Sequence, residues 1–117
     1  MEQNLIRHVF YYKNYYPDFY KRQTKDVQKK FNWTLELIEK IERVPKKYFD
    51  HMTGTDGIWE VRVEVGGNIF RTFSFFDEEK LIVIANAFQK KSQKTPINEI
   101  ELAKKIKKEY FNEKSKK

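Results

Sequence analysis

The sequence predicts a small α+β domain with an N-terminal strand and helices, an antiparallel β-meander and a C-terminal helix. Three observations predict it. Val27, Phe31, Leu35, Ile38 and Ile41 recur with the helical period. From Trp59 the period falls to two, with Trp59, Val61, Val63 and Val65 alternating with Glu60, Arg62 and Glu64. Turn residues, Gly66-Gly67-Asn68 and Asp77-Glu78-Glu79, then separate three consecutive strand-like runs. At 117 residues the chain is of one-domain size, and folding buries about two thirds of its unfolded surface, enough for one modest core. The expected domain spans residues 1–112, with a basic, disordered tail over 113–117.

The elements follow in order. Ile6 to Tyr12 is a β-branched and aromatic run that predicts a first strand, broken by Asn14 and Pro17. Pro17 suits a first helical turn, so Tyr16 to Arg22 reads as a short helix. Thr24 caps a second helix, Asp26 complements its dipole, and Pro45 limits it to about Val44. Lys46 to Gly57 reads as a loop. The meander strands run Trp59–Val65, Ile69–Phe76 and Leu81–Phe88. The last is nearly all apolar, which predicts an interior strand covered on both faces. After a polar linker, Gln89 to Lys94, Thr95-Pro96 opens the final helix with Thr95 as cap and Glu99 in its first turn. Its apolar stripe is Ile97, Ile100, Ala103, Ile106 and Tyr110, with lysines 104, 105, 107 and 108 on the other side.

Composition removes several classes of function. Without cysteine there are no disulfides, thiolate zinc sites or cysteine nucleophiles, and an intracellular compartment is the expectation. No apolar run approaches ~18 residues, and Met1 to Arg7 holds Glu2 and no signal-peptide core, so the expected location is cytoplasmic, without a membrane. No metal and no cofactor are expected: His8 and His51 are distant, and no helix offers ligands at i,i+4 spacing. His51 reads as an incidental loop residue. Gly66-Gly67 precedes no helix and is no phosphate loop; there is no GxSxG elbow; Asp77-Glu78-Glu79 reads as a solvated turn.

Charge points elsewhere. The net charge is +7, and residues 89 to 117 hold ten lysines against four glutamates, leaving the body nearly balanced. A basic segment attached to a balanced body is the footprint expected of a phosphate-rich partner. Arg62 and Arg71 fall on consecutive strands, and Lys90 and Lys91 leave the third strand toward Lys94, so a meander can bring these cations to one side of the sheet. Glu60 shares a strand face with Arg62. Phe88 is positioned to stack on a base. The tyrosines crowded into residues 11 to 20 are expected to pack against the final helix.

These residues bear a resemblance. Gly57-Ile58-Trp59-Glu60-Val61-Arg62, Asn68-Ile69-Phe70-Arg71, Phe88-Gln89-Lys90-Lys91-Ser92-Gln93-Lys94-Thr95-Pro96 and Glu99-Ile100-Glu101-Leu102-Ala103 resemble the HigB-type branch of the RelE/ParE toxin superfamily, which includes phage-derived toxin-like proteins. The likeness runs in order over Gly54 to Tyr110. Its F-x-K-K-x-x-x-T-P element before a helix is the most specific part; the N-terminal half matches in layout alone.

The resemblance implies a RelE-like fold and the toxin of a type II toxin-antitoxin module. Such a toxin cuts messenger RNA on the translating ribosome and is neutralised by a HigA-like helix-turn-helix antitoxin. By position, Arg62 and Arg71 match family arginines, and Lys90, Lys91 and Lys94 match the basic segment before the last helix. Some relatives place a tyrosine or histidine near that segment as acid or base; Gln89 to Pro96 here has neither. Cleavage by a 2′-hydroxyl needs a proton acceptor, cations for the growing phosphoryl charge and help for the leaving oxygen. Arginine forks suit the second task, which gives Arg62, Arg71 and Lys91 as the catalytic candidates. Lys90, Lys94 and Phe88 are candidates for RNA binding, and a lysine or Glu60 for acid or base. Two other readings use the same fold: a ParE-like inhibitor of DNA gyrase, and a non-catalytic nucleic-acid-binding module.

Overall fold

In the computed structural model, which describes residues 5–116, five strands form one mixed sheet. They are β1 (His8–Tyr11), β2 (Phe49–His51), β3 (Trp59–Val65), β4 (Asn68–Asp77) and β5 (Leu81–Lys90), in the spatial order β1-β5-β4-β3-β2. Helices α1 (Tyr15–Lys21) and α2 (Lys25–Lys40) cover one face, and α3 (Ile97–Ser115) lies on the other. The α+β class and the antiparallel β3-β4-β5 meander are as expected. The fold is consistent with a RelE-like domain.

Register in β3 and β4 comes from a two-residue turn, with Val65 opposite Asn68 and both Gly66 and Gly67 at positive φ, 56° and 82°. That register places Trp59, Val61, Val63 and Phe70 in the α1/α2 core, with Phe31 and Ile38 fully buried beneath them. On the opposite face Phe73 and Phe75 of β4, with Ile58 just before β3, meet Ala103 and Ile106 of α3. β5 is interior, covered by α1 on one face and α3 on the other, as its apolar run predicts.

Several expectations need correction. β2 lies inside the segment read as a loop, because Phe49 pairs with Val61 and fills the core beside Trp59. α2 stops at Lys40, a turn before Pro45. The Arg7 guanidinium takes the carbonyls of Ile38, Ile41 and Glu42 at 2.7–2.9 Å, and the Ile6 and Arg7 amides donate to the Glu39 carbonyl. β5 continues through Gln89 and Lys90, which pair with Phe70 and Ile69. α3 opens at Pro96 with no side-chain cap from Thr95, and Ile97 is 76% exposed instead of joining the stripe.

The expected tail from Glu113 is helical to Ser115, held because Lys114 Nζ donates to both Asp77 oxygens at 2.8 and 2.9 Å; residue 117 lies outside the described residues, as do residues 1–4 of the segment read for a signal peptide. The aromatic N-terminal segment divides between the two faces. Tyr12 packs edge-on against Tyr110 of α3, whereas Tyr16 and Phe19 pack on Phe31 of α2.

The β4–β5 pairing sets where α3 sits. Thr72 faces Ala87 but Ser74 faces Ile84, so β5 has an extra residue opposite Phe73. Within this bulge Asn86 donates to the Glu99 carbonyl and to Glu99 Oε1, at 3.1 and 3.0 Å, pinning the first turn of α3. The helix therefore covers the Phe73–Asp77 end of β4 and leaves the Asn68–Arg71 end uncovered.

Candidate functional site

The uncovered end of the sheet holds two arginines. Arg62 and Arg71 are direct partners across β3 and β4, on the face away from α1 and α2. Like charges placed directly opposite destabilise a strand pair, so this arrangement calls for an anion. Glu60, one pleat along β3, supplies part of one: Arg71 Nε lies 3.5 Å from Glu60 Oε2. Both residues are buried, at 8% exposure each.

That pairing leaves hydrogen-bonding capacity unused. Arg71 Nη1 donates to the Phe70 carbonyl at 3.0 Å, and Arg62 Nη1 reaches the Lys46 carbonyl at 3.5 Å. Arg71 Nε, Arg62 Nε and Glu60 Oε2 are nonetheless buried without a hydrogen-bond partner. Each such group costs about 1–3 kcal/mol of desolvation. Burial, and then Arg62, pull the Arg71 guanidinium below its ordinary pKa, opposed by Glu60 and Glu64. An oxyanion placed between the two arginines would relieve both effects.

The pair lines one hollow, and a second adjoins it at Ile69. One of about 230 Å³ is lined by Lys47, Arg62, Glu64 and Arg71. The other, about 670 Å³, lies between the β3–β4 turn and the chain leaving β5, lined by Asn68, Lys90, Lys91 and Gln93; Ile69 borders both. Lys90 sits opposite Ile69 at the end of β5, where the sequence suggested a linker, and Lys91 is exposed just beyond it. Lys94 is exposed on the following loop, where its carbonyl accepts from Ser92 Oγ at 3.0 Å, and lines neither hollow.

The structure thus gathers Glu60, Arg62 and Arg71, places Lys90 and Lys91 in the neighbouring hollow across Ile69, and leaves Lys94 apart. Phe88 is not available to a base. It is 7% exposed, 5.4 Å from the Phe73 ring and packed with Ala103 under α3. His51 belongs to β2 and meets the Trp59 ring edge-on. Among the described residues no three His, Cys, Asp or Glu side chains gather as a metal site, and no helix is long and apolar enough to cross a membrane.

Lys47 was missed, because it is thirteen or more residues from every other candidate in the chain. The pairing of β2 with β3, extended by the Arg62 amide donating to the Tyr48 carbonyl at 2.8 Å, brings it to the site.

The family model for phage derived protein Gp49-like (DUF891) matches residues 18–108. The match begins within α1 and ends in α3, so it spans all four strands of the β2–β5 antiparallel ribbon and the arginine pair. No curated protein matches the chain.

Proposed function

The chain belongs to the phage-derived Gp49-like family, a RelE/ParE-like toxin family whose members are often the toxins of toxin-antitoxin modules, and from this membership we propose that it is a HigB-type toxin that cuts messenger RNA on the translating ribosome. The observation that supports the reading is the opposed Arg62–Arg71 pair at the uncovered end of the sheet, with buried Nε groups that make no hydrogen bond.

In the proposed reaction a 2′-hydroxyl loses its proton and its oxygen attacks the adjacent phosphorus. The bond to the 5′ oxygen breaks, giving a 2′,3′-cyclic phosphate and, with a proton delivered to the leaving oxygen, a 5′-hydroxyl. Arg62 and Arg71 take the non-bridging oxygens, where charge grows. Glu60, with Oε2 buried, ion-paired to Arg71 but without a hydrogen bond, is the proton acceptor; Lys91, at the rim of the adjoining hollow, serves the leaving oxygen. Lys90 and Lys94 hold flanking phosphates. The partner is a HigA-like helix-turn-helix antitoxin that shields the basic surface, and the compartment is the cytoplasm.

Expression without a partner, followed by mapping of transcript ends, tests the reading. Growth should stop, with translated messages cut in register with the reading frame. Arrest with intact messages and falling DNA supercoiling would instead identify a gyrase inhibitor.

A further inference from the structure

Past the arginine pair, the surface continues around the β2 edge of the sheet onto α2. Trp33 is 45% exposed there, although its helix neighbours Phe31 and Thr34 are fully buried. Its ring stands edge-on to Tyr48, with centroids 5.2 Å apart. Cations lie over both rings. Lys30 Nζ is 4.4 Å from the Trp33 centroid and 5.7 Å from that of Tyr48, and Lys47 Nζ is 5.0 Å from Tyr48.

Lys47 joins this cluster to the arginines, since it also lines the hollow that holds Arg62 and Arg71. A shallow hollow of about 370 Å³ between Lys29, Lys30, Trp33 and Glu64 completes the path, with Glu64 bordering both hollows. Asp26 and Glu64 are the carboxylates along it, against Lys29, Lys30 and Lys47 and the arginine pair.

We infer that Trp33 and Tyr48 form a stacking platform for bases of single-stranded RNA whose backbone passes from the Arg62–Arg71 pair across Lys47. The inference rests on the proposed function for the phosphate at the arginines and adds a subsite to it. An exposed Trp33 ring with a half-buried Tyr48 ring beside a cationic track is the kind of surface that sequence-tolerant single-strand binding uses, because every base offers a π-face and every linkage a charge. A duplex hides those faces. The cations over the rings and the link that Lys47 makes to the arginine pair favour RNA over a protein partner.

The test is binding of the full chain to a short single-stranded RNA with 2′-methoxy groups, which block cleavage, measured by anisotropy across a salt series. Trp33→Ala should weaken binding roughly 5- to 100-fold, while Trp33→Phe keeps most of it. The salt slope should be unchanged in Trp33→Ala and flatter by about 0.7 in Lys47→Ala. Wild-type affinity in Trp33→Ala, with binding lost in Arg71→Ala, would overturn the platform and leave the proposed function standing. If Trp33→Ala loosens only the antitoxin complex, the aromatic pair belongs to a protein partner and the inference fails. A wild-type chain that binds neither this RNA nor ribosomes programmed with message would remove the platform and the proposed function together.

Discussion

The two ends of β4 each bury a charge on the α3 face of the sheet, and they treat it differently. At the covered end Asp77, 5% exposed, accepts from Tyr110 Oη at 2.5 Å and from Lys114 Nζ. Those two donors, Lys114 first, hold its carboxyl below the usual range, and burial with Asp77 pushes the Tyr110 hydroxyl up to about 12. At the open end Arg71, 8% exposed, faces another arginine, and its Nε has an ion-pair partner but no hydrogen bond. A buried charge whose partners are all internal fixes the fold. One whose partners are incomplete is held ready for something from outside.

The largest expected effect breaks the open end. Arg71→Ala should lower cleavage by roughly 10²- to 10³-fold, the scale of losing one preorganised donor to a developing oxyanion. Because it strands Glu60 in a buried place, stability should fall as well; adding Glu60→Gln should restore stability but not cleavage, as urea melts beside a cleavage assay would show. Arg62→Ala leaves no buried carboxylate behind, so it should lose cleavage without losing stability.

Breaking the covered end should do the reverse. Asp77→Asn should cost about 1.5–3 kcal/mol in urea unfolding, with cleavage by the folded fraction unchanged. The effect should also depend on pH. Because the folded pKa of Asp77 is lowered, its contribution is present above the ordinary carboxylate pKa of about 4 and is lost as pH falls through the folded value. Tyr110 has the opposite sign: its raised pKa gives stability that is full below about pH 10 and lost as pH rises toward about 12. Melts of Asp77→Asn should be flatter on the acid limb and those of Tyr110→Phe on the alkaline limb.

The smallest effects sharpen the comparison among lysines. Lys90→Ala and Lys91→Ala should each flatten the slope of log affinity against log salt by about 0.7 to 0.9. Lys94→Ala, outside the hollow, should do less, and Lys116→Ala least. Lys114→Ala should leave the slope alone and lower stability, since its ammonium serves Asp77.

The meander was legible because alternation and a two-glycine turn determine both the faces and the register of β3 and β4. That is enough to oppose Arg62 and Arg71. Features settled by distant partners were not legible. The three residues of β2 are too short to show a period; they are a strand because β3 lies beside them. Arg7 decides where α2 ends, and Asp77 where α3 does. The same limit applies to the site. Counting charge along the chain located the C-terminal lysines but not Lys30 and Lys47, which lie in a body whose charges nearly balance over its whole length and which gather only in space. Phe88 had the composition of a stacking residue, yet the position of α3, set by the Asn86 bulge, makes it core.

The most direct test follows the Nε–H resonance of Arg71 while the 2′-methoxy RNA is added to the full chain. The expected result is a shift and slowed solvent exchange at Arg71 and Arg62, with the Tyr110–Asp77 end undisturbed. RNA that perturbs the α3 lysines and leaves the Arg71 Nε–H unchanged would contradict the assignment of the open end as the phosphate site.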